Sequence, residues 1–313
     1  MSLRSVDVVD LYVEPYIRSG FRLPNQPYSY YYRSLFNLHN ETLSVWIHLL
    51  GTVVLVKQLI DQSHELTSIY LIYNCVGACV MLLCSSHAHL LHSRTIADHI
   101  RSFYFDYFGI NFYGFTSGLV LRRFSHQVSI DDNQLNYLMI LTLLSIYSIC
   151  VACFCKTFYR RPYPFSHKIL QCSGVLLVYF YQNYPILRHI LFVNQRELTE
   201  FETKSIYWHS LQFLSFIASG LIFICRIPER FRPGSFDLFG QSHHTFHLTI
   251  FLMAYSQSNA VFYDMNSFSF EISKEIFLQD LFLTLILLFV QLLTIKIWYR
   301  ISRPLIEQRY TKE

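Results

Sequence analysis

Eight stretches of about 20 mostly apolar residues run through this chain, and they decide what it can fold into. Their limits are 43–62, 69–91, 102–121, 136–156, 168–190, 205–225, 241–263 and 275–299. A helix needs roughly 20 such residues to cross a bilayer core. The third and seventh blocks are the least apolar, yet both continue for a full span. The gaps between blocks are short and leave no room for a second domain. The expected fold is therefore all-α, a polytopic transmembrane helix bundle. Residues 1–42 form a cytosolic N-terminal segment with an interfacial region, 43–299 the bundle, and 300–313 a cytosolic tail. Composition agrees: 15% of residues are charged, against about 25% in a soluble domain, which excludes a soluble enzyme. The net charge of +4 is small and no basic run is dense enough for nucleic acid. The opening MSLRSVDVVDLYVEPY lacks an apolar core of signal-peptide length, so the first span is expected to act as its own insertion signal.

Cations set the orientation. With the segment before the first span on one side, that side collects 18 of the 25 Lys and Arg residues and the other side seven. Positive charge stays in the cytosol, so both termini are expected there. The sequon Asn40-Glu41-Thr42 then lies on the cytosolic side, with Asn40 as a cap for the first span, and carries no sugar. The tyrosine-rich 27–36 segment reads as an interfacial anchor or as a cap packed over the bundle's mouth. Eight cysteines all lie in or beside apolar blocks and suggest no disulfide framework. Cys150, Cys153 and Cys155 admit a metal, but soft residues packing in a membrane helix explain them as well.

Ionisable groups inside a span are costly and face the bundle interior. Ser85 and His89 lie four apart in the second span, as do His243 and His247 in the seventh, and Asp106 lies near the start of the third. Residues four apart share a helix face, and a histidine pair at that spacing presents two imidazoles to one metal. The second span runs inward and the third and seventh outward, so all five groups fall at similar depth near the cytosolic face. Three neutral imidazoles with one open position match a catalytic-type zinc site, whose water the metal acidifies toward neutral pH. Asp106 then hydrogen-bonds that water or serves as its base, and Ser85 orients a ligand or donates to a developing oxyanion. Interhelical hydrogen bonding explains the same histidines without a metal. His244 points about 100° away from His243, and His87 lies nearly opposite His89. His92 shares the Ser85–His89 stripe and is the alternative ligand. His48 reads as a packing or hydrogen-bonding residue.

These residues sit in NETLSVWIHLLG (40–51), SSHAHLLHS (85–93), DYFGI (106–110) and PGSFDLFGQSHHTFH (233–247), which resemble the progestin and adipoQ receptor family. SGFRLPNQPYSYYYRSLF (19–36), SNAVFYDM (258–265) and the eighth span resemble its membrane progestin receptor branch. The resemblance implies a seven-helix core plus an eighth span, with Zn2+ on His89, His243 and His247. It also implies an acid at Asp106 and a serine at Ser85 beside the metal. Ser44 and Ile47 stand where the family shows Asn and Thr, and His244 where it often shows Gln. No ligand is lost, but the neighbouring polar network differs. The implied function is a plasma-membrane receptor for a progestin-like steroid, with the lipid bilayer and a steroid or other lipid as partners. The family is also similar to alkaline ceramidases, so a zinc-dependent lipid amidase, with Asp106 and Ser85 as catalytic groups, is the second reading. A purely structural zinc tying the second, third and seventh spans together is the third.

Overall fold

A computed structural model describes residues 3–62, 69–124, 134–160, 163–192, 198–267 and 273–310. Among these the chain is a helix bundle without a sheet. A short α1 (Tyr28–Ser34) precedes eight long helices: α2 (Thr42–Gln62), α3 (Ile69–Leu91), α4 (Ile96–Phe124), α5 (Gln134–Phe158), α6 (Phe165–Phe192), α7 (Glu200–Cys225), α8 (Ser242–Ser267) and α9 (Lys274–Tyr310). The chain is an all-α, multi-pass membrane protein. Arg161, Arg196 and Lys312 of the charge count lie outside the described residues, as does Glu313.

Most of these helices outrun the apolar blocks, because a helix needs apolar side chains only where it meets lipid. Five of them, α2, α3, α5, α7 and α9, are long and apolar enough to cross a membrane. The helices α4, α6 and α8 fall short, so the fifth block joins the third and seventh as the least apolar. Their polar residues are tolerated because other helices enclose them. The most enclosed is α4, which packs against α3, α5, α6, α8 and α9. Close approach fixes its place. A Cβ on Gly109 would come within 2.9 Å of Cys84 Cβ and 3.0 Å of Met81 Cα on α3, so only glycine admits this contact. That register sets Asp106 of α4 beside Ser85 of α3.

At 37 residues, α9 is longer than a span requires. The segment after 299 is helical to Tyr310, and Ile306 and Tyr310 in its far turns belong to the same apolar cluster as Val8, Val9 and Leu11. The N-terminal segment and the end of α9 thus share one end of the bundle. That end also holds the 226–241 loop between α7 and α8. The loop is tied to the N-terminal segment by Arg226 Nη1 to Glu14 Oε2 at 3.1 Å and by Ser19 Oγ donating to Asp237 Oδ2 at 2.6 Å. In α1, Tyr31 is buried while Tyr28, Tyr32 and the following Phe36 point outward. Asn40 is only 3% exposed. It is held through its main chain, its N–H donating to Gly20 O at 3.0 Å and its carbonyl accepting from Gln241 Nε2 at 2.8 Å.

At the opposite end, a buried ion pair locks α9 onto the core. Arg123 donates from Nε and Nη2 to the two Asp280 oxygens at 2.8 and 2.6 Å, and Tyr70 OH adds a third bond at 2.6 Å. Removing one partner of such a pair leaves a buried charge uncompensated and costs about 3–5 kcal/mol. Asp280→Ala is expected to lower the melting temperature in detergent clearly. Asp280→Asn, which keeps some of the hydrogen bonds, should cost less.

Candidate metal centre

The end of the bundle nearest the N-terminal segment brings the polar groups together. His89 lies in the last turn of α3, and His243 and His247 lie in the first two turns of α8. Their Nε2 atoms converge: His243 Nε2 is 3.3 Å from His89 Nε2 and 3.1 Å from His247 Nε2. Glu41, just before α2, sets the proton position on the first ring. Its Oε2 lies 2.8 Å from His89 Nδ1, so His89 carries its proton on Nδ1 and presents a lone pair at Nε2. Without a cation, a single N–H on His243 Nε2 would have to be shared between the other two nitrogens, since the His89 nitrogen must accept. A cation at their centre satisfies all three. The group His89, His243 and His247, the first and last buried and His243 half-buried, can therefore hold a metal ion.

Around this triad the sequence expectations find their places. Ser85 and Asp106 line the same cavity as the triad. His87 is exposed. His244 faces away from the triad, with Nε2 3.4 Å from Asn40 O and 3.1 Å from Gln241 Nε2. His92, the alternative ligand, sits on the far oxygen of Glu41, its Nε2 3.4 Å from Oε1. Glu41, His89 and His92 form a second group able to hold a metal ion. The cluster Cys150, Cys153 and Cys155 does not figure among the metal-capable groups of the described residues, and these cysteines are free thiols. Ser44 is fully buried, and its hydroxyl has no hydrogen-bond partner among the described residues.

Sequence reasoning missed Glu41, which it read only as part of a sequon; His48, read as a packing or hydrogen-bonding residue, is one, its Nε2 lying 3.1 Å from His247 Nδ1. The available signal was their spacing. An acid and a histidine seven apart at the start of an apolar span share one helix face. It also missed Arg22, which is 4% exposed. Its Nη1 donates to Leu90 O at 2.6 Å and its Nη2 to His89 O at 2.7 Å, capping the open carbonyls at the end of α3. Burial pulls the Arg22 guanidinium down to about 10, and Glu41 opposes that pull. It therefore remains charged at neutral pH. Burial likewise holds His39 neutral, lowered to about 3. Its Nδ1 lone pair accepts the Glu41 N–H at 3.1 Å, which steadies the glutamate from behind.

Beside the triad opens a cavity of about 470 Å³. It runs from the histidines past Asp106 to Tyr113, Gly114 and Met253. Its outer wall is formed by α6 and α7, whose backbones come close at only a few points. They meet where Tyr179 stacks on Phe216, with ring centroids 3.5 Å apart, where Gln212 Nε2 donates to Asn183 Oδ1 at 3.1 Å, and where Lys168 Nζ donates to Ile224 O at 3.0 Å. Leu176, Ile217 and Leu221 line the cavity and are also exposed on the outer surface. The cavity thus reaches the lipid-facing side between these two helices.

Known proteins place this architecture. The haemolysin-III related family matches residues 36–258. Human membrane progestin receptor beta is 31% identical over 281 residues, covering 87% of this chain and 77% of its own length. Human membrane progestin receptor alpha is 29% identical over 265 residues, covering 82% and 75%. Zebrafish membrane progestin receptor gamma-A is 28% identical over 283 residues, covering 82% and 81%. The matched region holds Glu41, His48, the three converging histidines and Asp106. The chain therefore belongs to the haemolysin-III related, progestin and adipoQ receptor family, on its membrane progestin receptor branch.

Proposed function

We propose that this protein is a membrane receptor for a steroid of the progestin type, with a zinc ion held by His89, His243 and His247. The observation that carries the reading is the apolar cavity joining the histidines to the lipid-facing gap between α6 and α7. Its volume of about 470 Å³ lies within the 300–1,000 Å³ range of small-molecule sites. An apolar hormone dissolved in the bilayer enters such a cavity sideways without crossing the polar end. Zinc is favoured by the donor set and spacing. Tetrahedral ligands at about 2.0–2.1 Å from zinc stand roughly 3.3 Å apart, close to the 3.3 and 3.1 Å separations of the Nε2 atoms. The bound metal would supply a Lewis acid at the cavity's polar end. The chain's own residues hold the ligand, exclude water and couple the cavity to α3 and α8. Binding shifts the balance between two packings of α6 and α7, where the bundle is least tightly closed.

Gly220 on α7 provides the test. It lines the cavity, and a Cβ there meets nothing within 4 Å. Gly220→Leu therefore adds bulk to the ligand's space without a clash in the unliganded bundle. Saturable binding of radiolabelled progesterone to the purified protein is expected to weaken by about tenfold or more, roughly 1.4 kcal/mol, with metal content unchanged. Wild-type protein without saturable binding, or a variant that binds as tightly, would remove the steroid from this cavity.

Lipid-amidase chemistry is the second reading, favoured by one observation: Asp106 and Ser85 face the same cavity as the triad. Orientation is part of the proposal too, with both termini in the cytosol. A tag at the C-terminus should be labelled by antibody only after permeabilisation, and labelling of intact cells would reverse the orientation.

A further inference from the structure

We infer that Glu41 and His48 are positioning residues of the His89–His243–His247 site: each holds the outer ring nitrogen of one ligand, Glu41 fixing the His89 tautomer and His48 steadying the His247 ring. The inference rests on the metal reading above. It begins from the NETLSVWIHLLG stretch, whose polar residues have no place in a lipid-facing span. Glu41 and His48 are 4% and 2% exposed. Glu41 Oε2 lies 2.8 Å from His89 Nδ1 and His48 Nε2 lies 3.1 Å from His247 Nδ1. Each thus contacts the ring nitrogen that points away from the converging Nε2 atoms. An imidazole that donates from Nδ1 is locked with a lone pair on Nε2, and its ring cannot swing.

The two contacts differ in kind. Glu41 can only accept, so it fixes the His89 proton on Nδ1 in one sense. His48 can accept or donate. It also lies 3.3 Å from the His247 carbonyl. If His48 Nε2–H donates to His247 Nδ1, the His247 proton moves to Nε2 and that nitrogen is closed as a ligand. If His48 accepts, its own proton sits on Nδ1, an atom with no hydrogen-bond partner among the described residues. Glu41 is thus a fixed brace, whereas His48 is a two-way contact whose metal-competent direction leaves one buried donor unmet. The third ring, His243, is instead stacked on Phe246, with centroids 5.7 Å apart at 14°.

The experiment compares each residue with a partner that keeps or removes the acceptor. Purified wild type, Glu41→Gln, Glu41→Ala, His48→Gln and His48→Leu are loaded with zinc, and release to a chelator is timed. The same proteins are loaded with cobalt(II), whose visible spectrum reports ligand geometry. Loss of an outer partner typically weakens metal binding by 10–100-fold. Glu41→Ala and His48→Leu are expected to release zinc about 10–100-fold faster and to change the cobalt spectrum. Glu41→Gln and His48→Gln, which retain an acceptor, should recover most of the wild-type rate. Equal losses in the acceptor-keeping and acceptor-lacking members of a pair would reduce the residue to packing and overturn the inference. So would wild-type release rates in Glu41→Ala and His48→Leu. A wild-type protein that takes up neither metal would instead overturn the zinc reading, and this inference with it.

Discussion

Replacing His247 with Ala is expected to strip the purified protein of nearly all its zinc. Wild type should hold about one zinc per chain, since three imidazoles suffice for a site with one open position. Losing a direct ligand should cost more than the roughly 10–100-fold that follows loss of an outer partner. His243→Ala should behave alike, because its Nε2 is the atom that both other rings approach, at 3.3 and 3.1 Å. A metal that binds only the folded protein stabilises it by about 4 kcal/mol at a thousand times its dissociation constant. Both variants should therefore melt at lower temperature, and chelation of wild type should reproduce the shift. Asp106→Ala is the control. Asp106 lines the cavity but is outside the group of converging nitrogens, so this variant should keep most of the metal. Elemental analysis after gentle purification decides the matter. A zinc-free wild type would remove the assignment, and equal metal loss in Asp106→Ala would make Asp106 a direct ligand.

How much of this was legible in the sequence depended on whether a feature is local. The long helices and the approximate limits of most of them follow from apolar length, which any single stretch displays. The shared depth of Ser85, His89, Asp106, His243 and His247 also follows, because alternate spans run in opposite directions. What the sequence did not display was the tertiary pairing. Glu41 stands at a span boundary, where a carboxylate is unremarkable. Its meaning depends on α2 packing beside α3, which puts it on His89 from 48 positions away. Arg22 is likewise ordinary in an N-terminal segment until that segment folds back onto the end of α3. His92 fits the face of His89 by spacing, yet Glu41 is what it meets. The cavity was invisible for the same reason. It lies where α6 and α7, consecutive in the chain, bring their backbones close at only a few points.

Converting Asp106 to Asn should separate the two functional readings by a wide margin. Both readings use the same metal, so metal content cannot distinguish them. Asn keeps the size of the side chain and a hydrogen-bonding oxygen but removes the base. If the cavity serves a steroid, contact is mostly apolar, through groups such as Met81, Tyr113 and Met253. Progesterone binding should then persist, weakened by at most a few-fold. If the cavity hydrolyses a ceramide-like amide, a proton must be accepted in the reaction, and Asp106 is the carboxylate placed beside Ser85 in the same cavity. Loss of a general base costs typically 10²–10⁴-fold, so fatty-acid release should fall by about 10²-fold or more. Both quantities are to be measured on one purified preparation, because a difference between preparations could mimic either answer. Asp106-dependent fatty-acid release without saturable steroid binding would replace the receptor with a hydrolase. Saturable binding with no turnover in wild type would leave the metal to hold α3 and α8 in register, and would make the α6–α7 gap the part of the bundle that responds to hormone.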